Sequence, residues 1–475
     1  MSLKFGTSGL RGLSTDLNGP AAALYATAFA RYLLASGRAN AGDPILLGRD
    51  FRDSSPSISA ICAGALTRAG FEVLDCGTVP TPALALYGLE KQAAGLMITG
   101  SHIPADRNGI KFYRPDGEID KEDESAINAE AAKLDPGTID WTPGKAQDHS
   151  AAAAALFLAR NGALLPAGAL SGLKVGVYQH STVARDLFVE ILLQYGAETT
   201  ALGRSEDFIP VDTEAVSTET VDRLKEWTTQ YGLDAIVSAD GDGDRPLVSD
   251  EMGTPMRGDL LGLIAAELAG ATVAVTPVTS NSGLDRQKAI DIVRTRVGSP
   301  YVIAAMLEAT ARGEAHVAGF EANGGTLTAT DFTPNGIALR ALPTRDSFLP
   351  VLAVLARAKA AGKRLSELAS DYALPVALAD RLENFPLETS AALMAHLRAS
   401  AGNLTAFLAP IGAPRSVSDI DGLRVTLEDQ SVIHFRPSGN APEMRCYVEA
   451  ETAEKAEILL QKGLDRIRAF AENGA

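Results

Sequence analysis

Residues 97–113 read M-I-T-G-S-H-I-P-A-D-R-N-G-I-K-F-Y. The stretch leaves a short apolar run, residues 93–99, that has the length and composition of a buried strand. It then breaks into turn residues, Gly100, Pro104 and the pair Asn108-Gly109, the last favouring positive φ. Ser101 therefore falls on a loop just past a strand end, where α/β proteins place their chemistry. His102 stands beside it and Lys111 ten residues on. A hydroxyl between a possible base and a cation suits a nucleophile. Ser and Asn are also ordinary loop residues, and taken alone the stretch reads first as a surface loop capping a helix, since loops more often connect than carry function.

Working outward, strands and helices alternate on both sides. A helix is expected near 20–36, a strand at 44–48, a helix at 57–69, a strand at 71–76 and a helix at 81–91, before the Ser101 loop. That order indicates a mainly parallel sheet. The acidic region 116–148, ending with Pro136, Pro143 and Gly144, marks a first boundary. Two further segments repeat the plan of strand, helix and strand with a polar or Gly-rich loop after a strand end. One runs to D-G-D-G-D-R at 240–245 and the other to G-F-E-A-N-G-G at 319–325. A period of domain length means tandem domains, not a solenoid. The last segment differs. Alternating strands at 422–427 and 431–435, a strand at 446–449 and a closing helix at 453–470 make an α+β pattern. The expected fold is thus α/β, with domains at 1–146, 147–251 and 252–371 of shared topology and an α+β domain at 372–475.

A formal charge of −16 over 475 residues argues against a nucleic-acid binder. It also requires that an anionic substrate be held by a local cationic cluster. The three cysteines, Cys62, Cys76 and Cys446, have no C-x-x-C spacing. This fits a reducing cytoplasm, without a disulfide framework or zinc site. The N-terminus has no signal-peptide core, and the apolar stretch 260–278 is broken by Gly262, Glu267 and Gly270. It reads as a helix plus a strand, not a membrane span.

The loops carry the chemistry. Asp240, Asp242 and Asp244 alternate with glycines, so three carboxylates can converge on one hard cation. An EF-hand is the competitor, since Glu251 stands at its twelfth position, but Arg245 occupies the sixth, where that motif needs glycine. Three like charges so close favour a Mg²⁺ site over a solvated turn. Arg436, Ser438, Gly439 and Asn440, with Arg445 beyond, suit the oxygens of a phosphate, and equally an ordinary hairpin exit. Glu321 and Asn323 put a carboxylate and an amide on a flexible loop, a pairing suited to sugar hydroxyls that most such loops do not use. F-G-T-S-G-L-R-G at 5–12 places Arg11 in a tight loop that fits an anion or a plain turn. No G-x-x-x-x-G-K-[ST] loop is present, so the phosphoryl group is expected to ride on the protein itself.

Four motifs in this order, T-G-S-H-I-P (99–104), D-G-D-G-D-R, G-F-E-A-N-G-G and R-P-S-G-N-A-P-E-M-R (436–445), resemble the α-D-phosphohexomutase family over nearly the whole chain. G-R-D-F-R-D-S-S (48–55) and R-T-R-V-G (294–298) also look like family elements. The resemblance implies four domains around a central cleft and a mutase that interconverts hexose 1- and 6-phosphates. It implies a phosphoserine at Ser101, with one Mg²⁺ held by that group and by Asp240, Asp242 and Asp244. Lys111, Arg11, His102 and Arg245 would lie near the transferring group, Glu321, Asn323 and Arg296 near the sugar, and Arg436, Ser438, Gly439, Asn440 and Arg445 at the non-reacting phosphate. A sugar 1,6-bisphosphate would be intermediate and activator. Lys111 is a candidate base if neighbouring cations lower its pKa. A small sugar phosphate is the expected partner, for a monomer or homodimer. The sequence departs from the family pattern at Gly100, usually Ala, at Asn323 and Gly325, where the loop usually reads G-E-x-S-G-H, and at Asn440-Ala441, usually Thr-Glu. Glucose or mannose phosphate is favoured over glucosamine phosphate. A sugar phosphatase or bisphosphate synthase using the same phosphoserine, a Ca²⁺ module on Asp240–Glu251 and a Ser/His hydrolase are the rivals. The last lacks a G-x-S-x-G elbow.

Overall fold

The computed structural model describes residues 3–6, 9–438 and 442–472. The chain divides into two compact units, one of residues 1–275 with 298–371 and the other of residues 276–297 with 372–475.

The first unit is built on three sheets. In the first, strands Pro44–Arg49, Glu72–Thr78 and Ala94–Ile98 run parallel. Strand Arg107–Arg114 then pairs antiparallel with Ala94–Ile98, and Gly9–Leu13 antiparallel with Arg107–Arg114. The sheet is therefore mixed, where a mainly parallel one was expected. The reason is the connection: the chain turns back after Ile98 with no crossover helix, and a connection that short joins only antiparallel neighbours. Asn108-Gly109 is accordingly part of a strand and not a turn. Asn108 is buried and its amide donates to Ser54 Oγ and Ser55 Oγ, both at 2.9 Å. Gly109 is needed because a Cβ there would meet Leu10 O at 2.5 Å and Thr99 O at 2.7 Å.

The second and third sheets repeat this design. Strand Ala235–Ala239 is parallel to Lys174–Tyr178 and antiparallel to Pro246–Ser249. Strand Val317–Phe320 is parallel to Val273–Pro277 and antiparallel to Thr326–Thr328. In all three cases the polar loop singled out in the sequence is the reversal between a parallel strand and its antiparallel return. The shared topology puts 99–106, 240–245 and 321–325 at equivalent places in their sheets.

Helices start where the sequence says they should. Prolines stand in the first turns of Pro20–Ala35, Ser55–Arg68, Thr81–Lys91 and Ser299–Ala311, where the missing N–H costs nothing. Phe29, Leu33, Ile58, Leu66, Leu96 and Phe112 belong to the core against the first sheet. The acidic stretch 116–148, read as a boundary, contains a helix. Asp120 caps helix Lys121–Ala131 in a reciprocal box with Asp123, and Ile127 and Ala131 join the same core.

In the second unit, strands Val376–Leu382, Met444–Ala450, Val432–Pro437, Leu423–Leu427 and Pro414–Ser418 form an antiparallel sheet in that order. Helix Ala453–Glu472 buries Ala456, Leu464 and Ile467 in a core with Ile433, Phe435 and Cys446. Among the described residues, no helix is long and apolar enough to cross a membrane.

Candidate active site

Ser101 is the only residue of its loop with positive φ, at 56°, and its side chain is buried. A non-glycine residue in that region carries a cost of about 1 kcal/mol, so something must hold it. Arg52 does. Its guanidinium donates to the carbonyls of Ser101 (3.0 Å), Ile103 (2.6 Å), Pro104 (2.7 Å) and Arg107 (2.9 Å). Asp50 fixes Arg52 through Nε at 3.1 Å, and Phe208 covers it 3.9 Å away. This explains Gly100: a Cβ there would lie 2.8 Å from the Arg52 guanidinium carbon.

Ser101 Oγ donates to Asp240 Oδ2 at 2.5 Å. Asp240, Asp242 and Asp244 are all fully buried, and each offers an oxygen within 4.8 Å of the others. Thr81 Oγ1 donates to Asp242 Oδ2 at 2.5 Å. Lys111 Nζ donates to Asp242 Oδ2 at 2.5 Å and to Asp244 Oδ2 at 2.6 Å. Asp242 Oδ1 and Asp244 Oδ1 are buried without a hydrogen-bond partner. A hard cation fits this set: it would take up orphaned oxygens and relieve three mutually repelling carboxylates. The EF-hand reading loses its twelfth ligand, because Glu251 accepts from the Ser366 hydroxyl and backbone N–H instead.

The electrostatics follow the crowding. Burial, then Asp242 and Asp244, push the Asp240 carboxyl well above the usual range. Burial would also raise Asp244, but Arg345, Lys111 and Arg245 outweigh it and hold it low. Lys111 is likewise held charged: burial pulls its pKa down, while Asp242 and Asp244 more than compensate. The lowering that would make Lys111 a base is therefore not what its neighbours produce. Burial and Arg245 push His102 down to about 3. Its Nδ1 lies 3.0 Å from Arg245 Nη1 and 3.3 Å from Ser101 Oγ. A guanidinium only donates, so Nδ1 is the acceptor and a neutral ring carries its proton on Nε2. Burial and Arg245 also bring Arg11 down to about 10, on the strand that pairs with Arg107–Arg114.

Glu321 and Asn323 are both buried on the third loop. Asn323 Oδ1 accepts from Gly325 N at 3.0 Å, which shapes the loop, and Nδ2 stands 3.5 Å from Glu321 Oε2. Arg345, which sequence reasoning passed over, donates from Nη1 to Glu321 Oε2 (2.7 Å) and from Nε and Nη2 to Asp244 Oδ2 (3.1 and 2.9 Å). Arg52 lay within the family-like stretch 48–55, but no role was read for it. The one local signal for either was a charged residue between Asp neighbours or before an apolar helix.

The structure thus brings together Ser101, His102, Lys111, Arg11, Asp240, Asp242, Asp244, Arg245, Glu321 and Asn323 within the first unit. Arg296, Arg436, Ser438 and Arg445 belong to the second. There Arg436 pairs with Asp421 at 3.0 Å, which also accepts from Val297 N at 3.0 Å. Arg445 pairs with Glu443 at 3.2 Å, and Ser438 N donates to Glu443 O at 2.9 Å. Arg296 is exposed at the end of strand Asp291–Thr295. Gly439 and Asn440 lie outside the described residues.

Comparison with known proteins bears on this arrangement. Residues 2–137, 160–253 and 257–374 match the alpha/beta/alpha domains I, II and III of the phosphoglucomutase/phosphomannomutase family. A phosphomannomutase of Sinorhizobium fredii is 55% identical over 98% of both chains. The chain belongs to the α-D-phosphohexomutase superfamily. A phosphomannomutase of Salmonella muenchen is 40% identical over 98% of this chain and 96% of its own. The crystal structure of a phosphoglucomutase/phosphomannomutase family protein from Burkholderia thailandensis superposes with a TM-score of 0.76 at 20% identity, covering 99% and 98% of the two chains. That likeness concerns the fold. The superfamily is one of hexose phosphate mutases, and this chain carries its three-sheet design.

Proposed function

We propose that the protein moves a phosphoryl group between the 1- and 6-oxygens of a hexose, with mannose phosphate the first candidate and glucose phosphate the second. The observation that supports this most is Ser101, a strained, buried hydroxyl 2.5 Å from the first of three convergent carboxylates. The mannose preference rests on the two full-length relatives named as phosphomannomutases.

In this reading Ser101 carries the phosphoryl group. The bond from phosphorus to Ser101 Oγ breaks as a bond to a sugar hydroxyl oxygen forms, giving a hexose bisphosphate, and the proton lost by that hydroxyl balances the one gained by the released Ser101 Oγ. After the bisphosphate turns over, the other phosphoryl group returns to Ser101 and the product leaves. Such transfer depends on position and charge more than on covalent help. Lys111, Arg245 and Arg11 supply fixed positive charge around the serine, and the neutral His102 orients Arg245. Asp240, Asp242 and Asp244 would hold Mg²⁺, which when bound draws negative charge from the phosphoryl oxygens. Glu321 and Asn323 accept and donate to sugar hydroxyls. In the second unit, Arg436, Arg445 and Ser438 suit a phosphate, because each arginine now pairs with a single carboxylate that an anion can displace. We assign a cytoplasmic location on the three buried free cysteines.

The test is a coupled mutase assay with Mg²⁺, a trace of hexose 1,6-bisphosphate, and mannose 1-phosphate, glucose 1-phosphate and glucosamine 1-phosphate in parallel. Turnover of mannose or glucose phosphate is the expected result. Release of inorganic phosphate without isomerisation would point to the phosphatase reading.

A further inference from the structure

Arg345 is among the bulkiest fully buried side chains, at 2% exposure. It is the penultimate residue of strand Leu342–Asp346, which pairs antiparallel with Thr326–Thr328, the return strand of the Glu321 loop. Its neighbours dock on different parts of the unit. Thr344 Oγ1 donates to Glu118 Oε1 at 2.6 Å, Asp346 accepts from Arg160 at 3.0 Å, and Ser347 Oγ donates to Gly243 O at 2.7 Å. Arg345 itself spans Asp244 and Glu321 with three hydrogen bonds. The space it uses exists because residue 325 has no side chain. A Cβ on Gly325 would lie 2.8 Å from Arg345 Cγ and Cδ.

We propose that Arg345 is a positioning residue that sets sugar discrimination, tying the hydroxyl-accepting carboxylate of Glu321 to the acidic loop at Asp244 through the gap left by Gly325. The inference rests on the mutase reading above. Arg345 occupies Glu321 Oε2, so Oε1 is the oxygen left for the sugar, and its direction is fixed relative to Asp244. A carboxylate so held can tell two hexoses apart by the orientation of one hydroxyl, because the mismatched epimer sits wrongly for transfer. A planar fork that grips two carboxylates at once is something lysine cannot reproduce.

The experiment measures kcat and KM for mannose 1-phosphate and glucose 1-phosphate in the wild type, Arg345→Lys and Gly325→Ala, with thermal denaturation to confirm folding. Arg345→Lys should reduce the wild-type preference, taken as the ratio of the two kcat/KM values, by about tenfold, through kcat more than KM. Gly325→Ala, whose Cβ pushes on the arginine, should move the ratio in the same direction by less. If Arg345→Lys does not fold, Gly325→Ala decides by the same ratio. An active wild type whose preference is unchanged in the folded variants, or which shows no preference at all, overturns this inference alone. A wild type that turns over neither sugar overturns the mutase reading and this inference with it.

Discussion

The Ser101–Asp240 centre and the Arg436–Arg445 hairpin both gather charge, but they do so in opposite ways. Around Ser101, three aspartates at zero exposure share Lys111, Arg245 and Arg345, with Thr81 adding a hydrogen bond. In the hairpin, each arginine has one carboxylate partner, and the Arg445 side chain is 36% exposed. In the proposed reading, the first is pre-organised to act on charge that develops in a reaction. In the same reading, the second exchanges a carboxylate for an incoming anion. Removing a group from the first should cost turnover; removing one from the second should cost binding.

The sharpest break would come from Ser101→Ala. It should lower kcat on the order of 10⁴-fold or more, as loss of a nucleophile does, while the thermal transition stays near that of the wild type. Near-normal turnover would remove Ser101 from its role. Next comes Asp242→Asn, which swaps an oxygen of the triad for an amide. A kcat lower by about 10²-fold is expected, with chelation of the wild type silencing it and Mg²⁺ restoring it. Unchanged activity in excess chelator would mean that no metal serves the centre. Arg436→Ala should instead raise KM by about 10- to 100-fold, the worth of a charge-assisted hydrogen bond, with kcat little changed. A collapse of kcat at constant KM would erase the contrast between the two regions.

The smallest effect is on stability. His180, fully buried behind the Asp240 loop with Nε2 2.9 Å from Ala239 O, is pushed down to about 4, mainly by burial. His434, beneath the partner of Arg436 with Nε2 2.6 Å from Asp421 O, is also pushed down to about 4, again mainly by burial. Both fall below the unfolded value near 6.5. The unfolded chain therefore binds more protons between about pH 6.5 and 4, and stability falls as pH falls through that window. For His180 alone the loss is on the order of 3 kcal/mol. Urea titrations at several pH values should show the slope, reduced in His180→Asn; a slope that is unchanged would mean that another group carries it.

Much of this was legible in the chain, for identifiable reasons. Helix Thr81–Lys91 has a proline in its first turn, and its bounds agree with the expectation. The three polar loops announced themselves because each follows a short apolar run. The capped helix Lys121–Ala131 was hidden by its acidic face, since only Ile127 and Ala131 of its apolar residues are buried. Asn108-Gly109 misled because the pair favours turns in isolation, whereas here the packing of Leu10 and Thr99 against Gly109 decides. The partners of Arg52 and Arg345 were beyond reach for a different reason. Arg345 meets Asp244 across 101 positions of sequence, and Arg52 meets Ser101 across 49. The first pair joins two different sheets and the second joins loops after neighbouring strands of one sheet, so neither is set by local pattern.

One measurement goes straight to the central claim. Enzyme phosphorylated at Ser101 is mixed with one equivalent of mannose 1-phosphate, quenched at short times, and followed by intact mass and by sugar phosphate analysis. The account predicts that the protein loses one phosphoryl group as mannose 1,6-bisphosphate appears, at a rate no slower than steady-state turnover. Mannose 6-phosphate accumulating while Ser101 keeps its phosphoryl group throughout would contradict it.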